Sequence, residues 1–196
     1  MYKLTPRMLQ RFERDLRKYH DLLDGGRCSG WEQEELIVNA IKSDTVAQHQ
    51  VYWREAGHDD KADITVKPNG RKHLIQIKSG KEARTGISIS GHRLGRFEGD
   101  FKAITEYLNN NSAHIISVRY RKVDDDAGRK HIYQLCYLDV RYLTNIAHKK
   151  WKKQGTTHEQ VNDDGVVFSL RPKMSWQIWW KVPLELFEET PEIVIG

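Results

Sequence analysis

Two alternating runs joined by a turn constrain this chain more than any other part of it. Lys61 to Lys67 (KADITVK) and Lys72 to Lys78 (KHLIQIK) place apolar residues at every second position, the period of a half-buried strand. Between them Pro68-Asn69-Gly70 supplies turn chemistry, because Pro presets φ and Asn and Gly tolerate left-handed backbone. The two runs read as a hairpin. On its second strand Gln76 and Lys78 are two apart and share one face, while Ile75 and Ile77 point to the other. Asp63 lies between Ala62 and Ile64, an apolar setting that is costly for a carboxylate without a partner. Pairing the strands brings Asp63 near Gln76 and Lys78, so an anionic ligand, a neutral oxygen and an ammonium gather at one sheet edge.

The remaining elements follow from capping and periodicity. Thr5-Pro6 starts a helix that carries Met8, Leu9, Phe12, Leu16, Tyr19 and Leu23 at spacings of three to four, and Gly25-Gly26 stops it. Ser29-Gly30-Trp31-Glu32 reads as a capping box that opens a second helix through Ile41. Residues 48–54 form a weak strand. The glycine-rich stretch between Ser79 and Glu98 predicts no regular element. A helix is expected over 98–109 and strands over His114–Tyr120 and His131–Val140, with a turn at 124–128. Residues 148–164 read as a connector, and Val166–Leu170 with Trp176–Val182 as a last strand pair. In that pair Trp176 and Trp180 are expected on one face and Trp179 on the other. From Trp31 to Tyr120 the order is helix, strand, strand, strand, helix, strand.

Aspartate, amide oxygen and lysine at one edge have a use in phosphodiester hydrolysis. Asp63 suits Mg²⁺, a hard cation that prefers carboxylate and carbonyl oxygens, and the Gln76 side chain and Ile77 carbonyl can join it. Such a metal polarises phosphate and acidifies water, and Lys78 can orient that water or offset phosphorane charge.

Asp63 followed by Gln76-Ile77-Lys78 resembles the signature of the PD-(D/E)XK nuclease superfamily, and the element order over about ninety residues is similar to its αβββαβ core. Two positions depart from the pattern. Ala62 stands where Pro is usual, and Gln76 stands where an acid is usual, as in Mrr-type restriction nucleases. The resemblance implies a mixed α/β fold with helices on both faces of the sheet. It leaves both flanks unassigned. The length of 196 residues fits a single domain over 1–196, read as an N-terminal helix at 1–26, a nuclease core at 29–122 and a β-rich extension at 123–196 for DNA recognition or dimerisation. The resemblance implies catalysis by Asp63, Gln76, Lys78 and a helix glutamate, with Mg²⁺ (or Mn²⁺ in its place) on Asp63, Gln76, Ile77 and that glutamate. Glu34 is the expected carboxylate, because Ile37, Val38 and Ile41 follow it on the sheet-facing stripe. Glu35 is the alternative, and Glu32 is already used by the capping box.

Charge adds a substrate class. The net charge is +5, but residues 65–130 hold fourteen Lys/Arg against seven Asp/Glu, whereas residues 1–64 hold ten against twelve. Polyanions favour such a basic middle. Lys81, Arg84, Ser88, Ser90, His92, Arg93 and Arg96 follow the proposed catalytic strand and are the expected DNA contacts. Restriction endonucleases commonly place such contacts there. The expectation is a type II restriction endonuclease acting on double-stranded DNA, as a homodimer if its site is palindromic. A structure-selective repair or junction-resolving nuclease is the second reading, and a non-catalytic DNA-binding protein on a nuclease fold the third. No GxxxxGK[ST] loop argues for ATP use, and nine histidines show no HxH or HxxxH spacing for zinc. No run approaches the roughly 18 apolar residues of a membrane span. With two cysteines and no apolar leader, a cytoplasmic, intracellular location is expected.

Overall fold

The computed structural model describes residues 2–23, 28, 30–44, 50–53, 62–83, 86–126 and 128–196, with Gln50, Asn69 and residues 81–83 through their backbone alone. The features expected at Gly25-Gly26, Ser29, Gln48, His49, Arg54, Lys61, Arg84 and Ala127 lie outside the described residues. The fold is mixed α/β and mostly strand, with three α-helices among the described residues and two sheets. The chain divides into two compact units. The first takes residues 2–79, 113–137 and 189–196, and the second takes 80–112 and 138–188. Residues 123–137 and 189–196 of the expected extension therefore belong with the hairpin, and the rest does not.

In the first unit, α1 (Pro6–Leu22) is capped as expected, the Thr5 hydroxyl accepting from the Met8 N–H. It buries Met8, Phe12 and Leu16. Leu23, expected on that face, is exposed just past the helix. α2 (Trp31–Lys42) begins one residue later than a Ser29 cap requires. Gly30 takes the cap position with φ +53°, and it makes no side-chain capping bond. The third helical residue is then Gln33 and not Glu32, and its amide donates to the Cys28 carbonyl at 2.7 Å.

β1 (Gln50–Trp53) pairs antiparallel with β2 (Ile64–Lys67), and β2 with β3 (His73–Ala83). A 3₁₀ turn at Pro68–Gly70 closes the hairpin where the sequence puts it. The sheet runs β1-β2-β3-β5-β6, where β5 is Ala113–Asp125 and β6 is Gly128–Leu138; β12 (Ile193–Ile195) pairs with β6. β5 and β6 extend further toward their turn than expected. Arg129 meets Asp124 at 2.9 Å and Lys130 meets Asp125 at 2.5 Å, so the charges taken for a loop are cross-strand pairs. Ile64, Val66, Ile75, Ile77, Ile116 and Val118 form one core with Phe12, Leu16, Ile37 and Ile41.

The second unit contains what the sequence reading missed. The glycine-rich stretch forms β4 (Gly86–Arg93), whose Ile87 and Ile89 are fully buried. The order after α2 is thus four strands, then α3 (Phe101–Asn109), then β5. α3 is capped by Asp100, which accepts from the N–H groups of Lys102 and Ala103. It belongs to this second unit and not to the unit that holds the hairpin. The expected connector holds β7 (Lys152–Gln154) and β8 (Thr157–Val161), followed by β9 (Val167–Arg171) and β10 (Gln177–Val182). β11 (Phe187–Glu189) crosses the boundary between the units in sequence. The sheet order is β4-β10-β9-β8-β7, and the last three residues of β3 pair with β4. Trp176 does not share a face with Trp180, because it precedes β10 with φ +56° and stacks on His158 at 5.8 Å. No helix among the described residues is long and apolar enough to cross a membrane.

Candidate active site

The hairpin register brings the expected polar residues of the first unit together. Ile64 pairs with Ile75, so Asp63, one residue before β2, stands level with Gln76. One Asp63 carboxylate oxygen accepts the Ile77 N–H at 2.8 Å and the Lys78 ammonium at 3.3 Å. The Asp63 and Lys78 side chains are 19% and 25% exposed, so the pair is partly screened and still reachable by a ligand. Gln76 is 1% exposed, and Ile75 and Ile77 face the core as alternation requires. The carboxylate that the sequence left needing a partner has two.

The helix contribution differs from the expected one. Glu34 lies in the first turn of α2 and is half-buried, while Glu32 and Glu35 are exposed, which favours Glu34 among the three. Yet the α2 side chain whose hydrogen bond to β3 is described is Gln33. It is 1% exposed and accepts from the Ser79 hydroxyl at 3.1 Å, one residue beyond Lys78. Sequence reasoning passed over Gln33. Its signal was the spacing Gln33, Ile37, Ile41, a strict i, i+4, i+8 row on the buried stripe.

Among the described residues no group of three or more His, Cys, Asp or Glu side chains converges with metal-ligand spacing. The hairpin donors are one carboxylate, Asp63, with the amide of Gln76 and the carbonyl of Ile77 as neutral oxygens. That set suits Mg²⁺ when phosphate oxygens and water supply the remaining ligands. The adjacent Lys78 charge opposes metal binding until an anion arrives.

The expected DNA contacts among the described residues fall in the second unit. Ser88 and Ser90 are half-buried on β4 and Arg93 is exposed at its end. Lys81 begins the part of β3 that pairs with β4, level with Ser88. Arg96 lies over the rings of Tyr107 (4.8 Å) and Phe97 (5.0 Å), and His92 meets Tyr107 edge-on at 5.7 Å. Trp151, between Lys149-Lys150 and Lys152-Lys153, donates its indole N–H to the Thr105 hydroxyl at 3.0 Å.

No family model, curated protein or solved structure was found to match the chain.

Proposed function

We propose that the chain is a Mg²⁺-dependent endonuclease that hydrolyses double-stranded DNA, of the type II restriction kind. The observation that carries this reading is the set at the hairpin: Asp63 bonded to both Ile77 N–H and Lys78, level with Gln76. The sheet order β1-β2-β3-β5 agrees with an αβββαβ core, whereas the intervening β4 and α3 lie in the second unit and depart from it. The Ile77 N–H and the Lys78 ammonium hold the Asp63 carboxylate in one orientation, with Glu34 the candidate for a second acid. Lys78 can exchange its contact with Asp63 for a non-bridging phosphate oxygen, giving a charge-assisted hydrogen bond that strengthens as negative charge builds on that oxygen. A bound Mg²⁺ on Asp63, Gln76 and Ile77 would supply Lewis acidity and a more acidic water.

Supercoiled plasmid incubated with the protein and Mg²⁺ or Mn²⁺ should give discrete linear fragments. Asp63→Asn and Lys78→Ala should each remove cutting, and full activity in either variant would overturn the site. Preference for a four-way junction over plasmid would favour the junction-resolving reading. The neutral Gln76, where the nuclease pattern has an acid, is the feature that keeps a non-catalytic DNA-binding protein on a nuclease fold as the third reading. Duplex binding in Ca²⁺ with no cleavage in either metal would establish it.

A further inference from the structure

The sheet of the second unit has one face packed and one face half-buried. Ile87, Ile89, Phe168, Leu170, Ile178 and Trp180 are fully buried, and the period of two turns the residues between them outward. At the centre of the outward face is Trp179, level with Ser90 on β4 and Ser169 on β9. One row along, Gln177 is level with Arg93 on one side and Arg171 on the other. One row the other way, the exposed Lys181 is level with Ser88. On β4, β10 and β9 these rows hold three cations and no carboxylate, and the ion pairs of the described residues involve none of the three; on β8 the Trp179 row continues to Glu159, which is level with Lys152 on β7.

The central ring is already fixed. Its indole N–H donates to the Gln177 side-chain Oε1 at 3.3 Å, and the Gln177 side-chain Nε2 donates to the Gly91 backbone carbonyl at 3.3 Å. The Arg171 guanidinium lies over the indole, 4.2 Å from its centroid. A half-buried Trp under a planar cation, flanked by hydroxyls and rimmed by Arg93 and Lys181, suits a flat anionic polymer. A second copy of the chain is disfavoured, because a two-fold contact centred on Trp179 sets the same cations against each other. A duplex is disfavoured too, since its bases are stacked on one another and cannot offer a π-face to the ring.

We propose that this face binds single-stranded nucleic acid, with an unpaired base stacked on the Trp179–Arg171 pair and the neighbouring phosphates held by Arg93 and Lys181. Ser88, Ser90 and Ser169 supply hydroxyl donors to the strand. This activity goes beyond the duplex-cleaving site and does not depend on it.

The test is fluorescence anisotropy of the full chain in EDTA with a labelled oligothymidylate, beside a duplex of equal length. The expected result is tighter binding of the single strand. Trp179→Ala should weaken it about tenfold or more, while Trp179→Phe, which keeps a ring, should retain most of it. Lys181→Glu should weaken binding and flatten its salt dependence by about 0.7 in log–log slope for each phosphate no longer neutralised. Tighter duplex binding, or wild-type affinity in Trp179→Ala, overturns the proposal. So does a wild-type dimer in light scattering that Trp179→Ala disperses. Asp63→Asn should bind the oligonucleotide normally, so abolished plasmid cleavage with retained binding separates failure of the hairpin reading from failure of this one.

Discussion

Gly91 sits in β4 where a side chain has no room. A Cβ built there would lie 2.4 Å from Cη2 and 2.5 Å from Cζ3 of Trp180, and 2.6 Å from the Cγ2 of Ile178. Ordinary contact begins near 3.4 Å, so Gly91→Ala requires the indole to withdraw by about 1 Å. Trp180 is fully buried between Ile89 and Phe168, its register partners, and has no free direction. Overpacking of this kind costs about 1–3 kcal/mol, and in a chain of this size each kcal/mol lowers Tm by about 2–4 °C. Gly91→Ala should therefore melt about 2–12 °C below wild type. Trp180→Phe alone should also destabilise, by leaving a void. Together they should be less harmful than the sum, because the smaller ring makes room for the methyl and no longer buries an indole N–H that lacks a partner among the described residues. A coupling of about 1 kcal/mol in that direction, from urea unfolding of the four proteins, is the expected outcome. A wild-type melt for Gly91→Ala, or strict additivity, would refute the claim that this glycine permits close packing rather than flexibility.

Asn162 is nearly buried and makes four side-chain hydrogen bonds, donating to the carbonyls of Tyr142 and Thr144 and accepting from the N–H groups of Asp164 and Val166. Asn162→Ala should cost about 2–4 kcal/mol in urea unfolding, because it strands buried backbone groups. The His20 and His131 rings lie 4.6 Å apart, with Tyr133 on His20 and Tyr120 on His131. Burial lowers the pKa of both, aided for His20 by His131 and for His131 by Lys122 and Arg129. The unfolded chain then takes up protons first, so stability is full above about 6.5 and falls as pH drops below it. His131→Gln should flatten that fall between about pH 7 and 5.5, and an unchanged slope would exclude the pair as its source. Lys78→Met removes the ammonium beside Asp63, so Mn²⁺ measured by calorimetry without DNA should bind a few-fold tighter even though cleavage is abolished. Weaker Mn²⁺ binding would mean that Asp63 is not a metal ligand.

The hairpin was legible because a two-residue period and a Pro-Asn-Gly turn are local signals, and its register follows from turn position and which face is apolar. That register was enough to put Asp63 beside Lys78. β4 was not legible, because Gly86 and Gly91 look like loop residues until their neighbours are known. Gly86 packs its backbone against the Val182 carbonyl, and Gly91 lies under Trp180. Gln33 was missed because charge is the obvious signal on α2, whereas the contact with Ser79 uses a neutral amide. Trp176 was misplaced because period-two counting assumes an unbroken strand, and two successive left-handed residues, Ser175 and Trp176, break it.

The interleaving of the two units sets an order of completion on the ribosome. The unit that contains α1 also contains β12, whose strand pairs Ile193 with Tyr133 and Ile195 with His131. Its sheet lacks that strand until residues 193–195 have emerged. The second unit ends at residue 188 and has all of its strands by then. Synthesis usually favours the N-terminal body as the first to fold. Here the body that starts first finishes last, and the inserted one can be complete while its host still waits for a strand.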